Sequence, residues 1–162
     1  MMISKKVAAR LNEQVNNEFF ASWAYMAMAY SFEDMNLKGF AGWFVKQADE
    51  ERSHAMKIAE YLMDQGAPVK LAELPAPKVD YKKADEIVKE AVDHELRVTK
   101  QIHEIAKLAE KEGDLATRQF IGWFIDEQVE EVSTVTNLLE MVKMAQTPGQ
   151  LLMLQNQLSR GE

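Results

Sequence analysis

In the stretch EERSHAMKIAEYL, residues 50–62, Glu51 and His54 stand three residues apart on the face that continues into Ile58. On a helix, positions i and i+3 lie side by side, so the two side chains can offer one oxygen and one nitrogen to the same cation. Three more stretches put acid or amide where an apolar stripe should continue. The stripes read Leu11, Val15, Glu18, Ser22, Tyr25, Ala29; Phe40, Phe44, Gln47, Glu51, His54, Ile58; Ala84, Val88, Ala91, Glu95, Val98, Ile102, Ile105, Ala109; and Ile121, Phe124, Gln128, Glu131, Val135, Leu138, Val142. Each is interrupted near its middle. Four carboxylates brought together in an apolar core repel one another and must be neutralised by protons or by cations. Oxygen donors with one imidazole and no sulfur suit divalent iron, manganese or zinc. The alternative is a non-catalytic bundle whose Glu and His form a buried polar network. Such a network needs donors to match its acceptors, and here four Glu face one His and one Gln.

The elements that must position these residues are long helices. With 7 Gly and 4 Pro in 162 residues, little interrupts helical periodicity. The pattern predicts helices over about 5–33, 37–65, 83–112 and 114–145, and a short apolar one over 149–159 that carries Leu151, Leu152, Leu154 and Leu158. Asn36 is read as the N-cap of the second helix, Gly66 as the residue closing it, Asp114 as the cap of the fourth, and Thr147-Pro148-Gly149 as its stop. Helices of ~30 residues are ~45 Å long and pack lengthwise, which predicts an all-α four-helix bundle. The link over 66–82, GAPVKLAELPAPKVDYK, has three prolines and no helical period. Extended, seventeen residues reach ~56 Å, enough to run the length of the bundle and leave the second and third helices parallel. Helices of equal length bring Glu18, Glu51, His54, Glu95, Gln128 and Glu131 to one height. His94 and His103 fall off the inward stripes and are read as surface residues, and the ten Met as core or interface.

Composition narrows the function classes. The net charge of −7 argues against a nucleic-acid or anionic-membrane partner. The absence of Cys excludes disulfides, thiolate nucleophiles and sulfur-bound metal. No run approaches the ~18 apolar residues of a membrane span, and the first residues lack the apolar run of a signal peptide, so a cytoplasmic location is expected.

With NNEFFASWAYMAMA, DEERSHAMKIAEYL, Glu95 and FIGWFIDEQVEEV in this order, the chain resembles the ferritins, above all the non-haem bacterial ones, over essentially its whole length. The resemblance implies a ferritin-like four-helix bundle over 1–162 with a long crossover and a short fifth helix. It implies iron storage and detoxification, with ferrous iron oxidised by dioxygen at an intra-subunit di-iron ferroxidase centre. By the same likeness, Glu18, Glu51 and His54 hold the first iron, Glu51 bridges to a second held by Glu95 and Glu131, and Gln128 sits beside them. A third iron position is implied at Glu50, Glu127, Glu130 and Glu131. Tyr25 is implied as a hydrogen-bonding partner and electron donor, with Trp123 a weaker case of the same kind. A hollow homo-oligomeric shell of twenty-four subunits is implied, with the fifth helix meeting its copies at a four-fold axis. Haem is not expected, because Arg52 follows the bridging Glu where the haem-binding relatives have Met, and Gln128-Val129-Glu130-Glu131 replaces their second E-x-x-H.

Overall fold

The computed structural model describes residues 3–160, and the side chains of 3–158. Five helices account for the regular structure among them: α1 (Lys5–Asp34), α2 (Lys38–Asp64), α3 (Ala84–Lys111), α4 (Leu115–Met144) and α5 (Pro148–Arg160). α1 packs chiefly on α2 and α3 on α4, while α5 rests on α2 and the end of α4.

The core falls into two apolar clusters, and their membership gives the chain directions. One gathers Tyr25–Phe32 from α1, Phe40–Ala48 from α2, Ala84–Ala91 from α3 and Val135–Val142 from α4. The other gathers Val7–Val15, Ile58 and Leu62, Val98–Ala106, and Ile121 and Phe124. The late half of α1 thus meets the early half of α2, so these two are antiparallel. The early halves of α2 and α3 share a cluster, so those two are parallel. α4 returns against α3. The crossover accordingly runs from one end of the bundle, where Ala67 and Val69 join the second cluster, to the other, where Tyr81 joins the first.

The crossover is laced to α1 rather than packed into the core. Asn12 donates its side-chain amide to the Pro68 carbonyl at 3.0 Å and accepts the Lys70 backbone amide at 2.6 Å. One turn on, Asn16 donates to the Lys70 carbonyl at 2.9 Å and accepts the Ala72 amide at 2.8 Å. Two asparagines four apart therefore give an irregular segment the bonds it would otherwise seek from water.

Three helix ends share one construction. Gly66 and Gly113 take positive φ of 72° and 68°, and Asn36 takes 59°. In each case the left-handed residue and its successor close back on the last turn, as in Gly66 N to Met63 O and Ala67 N to Leu62 O, both 2.9 Å. Asn36 is thus the terminator of α1 and not the N-cap of α2, a position held by Leu37 without a side-chain bond. Asn is ambiguous in sequence because it suits both roles: its side chain can cap, and it tolerates the left-handed region better than most residues. Asp114 does cap α4, accepting the Thr117 amide at 2.9 Å. Thr147 and Pro148 open α5: the Thr147 hydroxyl accepts the Gln150 amide at 3.2 Å, and Gln150 reaches back to the Thr147 amide at 3.1 Å. Leu154 is buried and Leu151 and Leu158 half-buried against the bundle end, whereas Leu152 and Met153 stay exposed.

Asn12→Ala combined with Asn16→Ala should leave the helical core folded while freeing the crossover. Limited proteolysis within residues 66–82 should speed up by about tenfold or more, since each lost hydrogen bond is worth ~1 kcal/mol.

Candidate metal centre

Between the two apolar clusters lies a polar layer. Glu18, Gln47, Glu51, His54, Glu95, Gln128 and Glu131 are all buried there, together with Gln14 and His94. The stripes that carry them bring the first set to one height because each helix reaches its midpoint in the same layer. Three donor groups form, each with ligand atoms within 4.8 Å of one another: Glu18, Glu51 and His54; Glu51, Glu95 and Glu131; His54, Glu127 and Glu131. Glu51 belongs to the first two, so it can bridge two ions. The two nitrogens of His54 face different carboxylates, Nδ1 lying 3.4 Å from Glu51 and Nε2 3.9 Å from Glu127.

Hydrogen bonding divides the four buried acids. Glu95 accepts from the Tyr25 hydroxyl at 2.6 Å on one oxygen and from the Gln128 amide at 3.1 Å on the other. Gln128 Nε2 also reaches the Glu95 carbonyl at 3.2 Å and the Thr99 hydroxyl at 3.1 Å, so its nitrogen is turned into the α3 wall. Glu18 accepts from Gln14 Nε2 at 2.8 Å on Oε1, while its Oε2 is buried without a hydrogen-bond partner. Both oxygens of Glu51 are buried and accept no well-formed hydrogen bond; their polar neighbours are the Glu18 carboxyl and His54 Nδ1, itself 3.4 Å from Oε2. Burial, reinforced by Glu18 and Glu95, pushes the Glu51 carboxyl well above the usual range. Burial and then the charge of Glu95 push Glu131 up to about 9. Tyr25 is fully buried, and burial followed by the Glu95 and Glu51 charges holds its hydroxyl well above its ordinary value, so it stays a donor.

Glu50 is exposed, yet burial of its carboxyl raises its pKa, and it feels His54, Glu127 and Glu131. Glu130 is exposed and joins none of the three donor groups. Trp123, 40% exposed, stands edge-on to His54 with ring centroids 5.5 Å apart, and the Lys57 ammonium lies 3.6 Å over its ring.

His94 is not a surface residue. It is buried, edge-on to Tyr25 at 5.7 Å, with Nε2 unpartnered, and burial lowers its pKa. His103 is exposed, as expected. Gln14 also went unnoticed in the periodicity. Both belong to the second column of a wide helical stripe: Leu11, Gln14, Val15, Glu18 and Ala91, His94, Glu95, Val98 repeat the i, i+3, i+4, i+7 spacing. A single 4-3 column follows Ser22, which is only half-buried, and misses Ala21, which is fully buried.

The ferritin-like domain family matches residues 8–145. The chain belongs to that family. It is 43% identical over 133 residues to a bacterial non-heme ferritin of Staphylococcus haemolyticus, covering 82% of this chain and 80% of that one. A bacterial non-heme ferritin of Staphylococcus aureus is 42% identical over 132 residues, with the same coverage. Among solved structures, an open pore ferritin from the hyperthermophilic archaeon Archaeoglobus fulgidus superposes with a TM-score of 0.97 at 34% identity, covering 99% of each chain. A closed form of it engineered by site-directed mutagenesis gives 0.96, also at 34% identity. The all-α ferritin-like bundle is therefore the fold of this chain.

Raised carboxyl pKa values have a definite sign in stability. Folded Glu131 holds a proton that the unfolded chain releases above ~4.3, so its contribution is intact at low pH and lost as pH climbs to about 9; Glu51, also raised, acts in the same direction. Metal-free protein should therefore melt at falling temperature from pH 7 to pH 9, a window above the titration of His94. Each group that titrates there adds up to about 1.4 kcal/mol per pH unit. Glu131→Gln should flatten the slope, read by calorimetry at several pH values.

Proposed function

We propose that the buried layer is a ferroxidase centre, in which this chain binds two ferrous ions as substrate and passes them to dioxygen. Iron storage and detoxification is the function of the protein, with the ferric product kept inside an oligomeric cage. The observation that carries the reading is Glu51: two buried oxygens that accept no well-formed hydrogen bond, in a residue shared by two overlapping donor groups. A buried carboxylate among other carboxylates is costly, and a cation placed between them offsets that cost.

The roles follow from the geometry. Glu18, Glu51 and His54 take one ion, and Glu51, Glu95 and Glu131 the other. The iron supplies the redox chemistry; the carboxylates hold the ions close together and favour the ferric state through their negative charge. Gln128 and Tyr25 act on Glu95, fixing both of its oxygens, and the Tyr25 hydroxyl also stands where it can donate an electron and a proton. Glu127 with His54 and Glu131, backed by Glu50, forms the third iron position, which Glu130 would join only by turning inward. No haem is expected, because Arg52 follows Glu51 where the haem-binding relatives have Met.

We further propose that residues 1–162 form a single ferritin-like domain, that it works in the cytoplasm, and that twenty-four copies build the shell. Among the described residues no helix is long and apolar enough to cross a membrane. Among the described residues the bundle interior is filled by packed side chains, which leaves a mineral to a shell, and α5 keeps Leu152 47% and Met153 69% exposed after packing on the bundle. Those two side chains, fewer than the leucine count of the helix suggests, are its contribution to contacts between copies.

Glu51→Met separates function from stability. Rapid ferrous-dependent oxygen consumption should disappear while the assembled particle persists on size exclusion. The metal-free variant should be about 2 kcal/mol more stable than wild type at pH 7.5, since a buried acid gives way to an apolar group. Wild-type oxidation rates in this variant would sink the assignment. Deletion of residues 148–162 should leave oxidation in place but weaken the particle, read by light scattering at micromolar concentration.

A further inference from the structure

Gln14 is fully buried on α1, one turn before Glu18, and its side chain is satisfied on every side. Asn17 Nδ2 donates to its Oε1 at 3.3 Å, which fixes which end of the amide is oxygen. The two hydrogens on Nε2 then go to Glu18 Oε1 at 2.8 Å and to Gln101 Oε1, on α3, at 3.3 Å. The amide is thereby clamped between two helices before any ion arrives. Glu18 Oε1 is tied back toward α1, and Oε2, buried and without a partner, is the oxygen left for Glu51 and His54.

We propose that Gln14 is a positioning residue that makes Glu18 a one-oxygen ligand and presents Oε2 to the first ion. The inference rests on the metal-centre reading above. A carboxylate free to turn could bind through both oxygens. A neutral amide donor on Oε1 holds that oxygen toward α1 and leaves Oε2 facing Glu51, without adding a charge that would repel the metal. It also acts on one ion position only, because Gln14 touches neither Glu95 nor Glu131.

Cobalt(II), whose visible absorption reports coordination number, is the probe, titrated into the purified assembled protein. Wild type should fill the two inner positions, ahead of the outer group of His54, Glu127 and Glu131. Gln14→Met, equal in length but without a donor, should weaken the ion bound by Glu18, Glu51 and His54 by about tenfold or more, the usual effect of removing a partner behind a ligand. The ion bound by Glu51, Glu95 and Glu131 should keep its affinity, and the spectrum of the first ion should change as Glu18 turns. Gln14→Glu, which keeps the shape of the side chain, should weaken the same ion, so the inference stands on that variant if the Met variant does not fold. Unchanged first-ion affinity and spectrum in both variants overturn the inference while leaving the metal centre in place. Equal weakening of both ions, with a lowered melting temperature of the metal-free protein, overturns it in favour of a packing role. A wild-type chain that takes up no cobalt overturns the metal-centre reading itself, and this inference with it.

Discussion

The mutual repulsion of Glu18, Glu51, Glu95 and Glu131 sets the conditions under which the rest of the bundle has to work. All four sit in a layer sealed above and below by apolar clusters, so bulk water cannot screen them. Left ionised together, they would push the helices apart. The metal-free chain responds by keeping protons on Glu51 and Glu131. The bundle tolerates this because packing on both sides of the layer is continuous, from Phe32, Phe40 and Phe44 at one end to Leu11, Ile58 and Ile102 at the other. Stability is thus concentrated away from the site, and the site itself is held in a poor electrostatic state that a cation would relieve.

Within that layer the donors are unevenly placed, and the unevenness follows the helices. The acids of α1 and α3 have protein partners: Gln14 for Glu18, and Tyr25 with Gln128 for Glu95. The acids of α2 and α4 are the ones pushed toward the protonated form. The α1 and α3 carboxylates are therefore oriented in advance, whereas Glu51 and Glu131 are left for an ion to orient. The hydrogen bonds on Glu18 and Glu95 still leave each a lone pair for a cation, whereas holding none of the four acids would let the carboxylates collapse onto shared protons.

Much of this was legible in the sequence because helical periodicity is a strong signal over ~30 residues and an acid in an apolar stripe breaks it visibly. The five helices, the crossover and the convergence of Glu18, Glu51, His54, Glu95, Gln128 and Glu131 are all read that way. What stayed hidden has a common cause. A helix facing a bundle buries an arc wider than one column, so Gln14 and His94, lying beside the chosen columns, looked peripheral. Asn36 was misassigned because its residue type serves both helix ends. The turning of Gln128 toward Glu95 and Thr99 could not be read at all, since spacing gives a face and not a rotamer.

The position of Glu51 shows why the arrangement is asymmetric. It is the one acid common to the two deeply buried donor groups, and neither of its oxygens accepts a hydrogen bond that would compete with a cation. The cost of leaving them so has to be met by the surrounding fold. His54, one turn on, faces Glu51 through Nδ1 at 3.4 Å and Glu127 through Nε2 at 3.9 Å, so each ring nitrogen looks toward a different donor group. Glu127 and Glu131 complete with His54 the outer donor group. The outer donor group shares His54 with one inner group and Glu131 with the other, so a charge held in one is felt by the others.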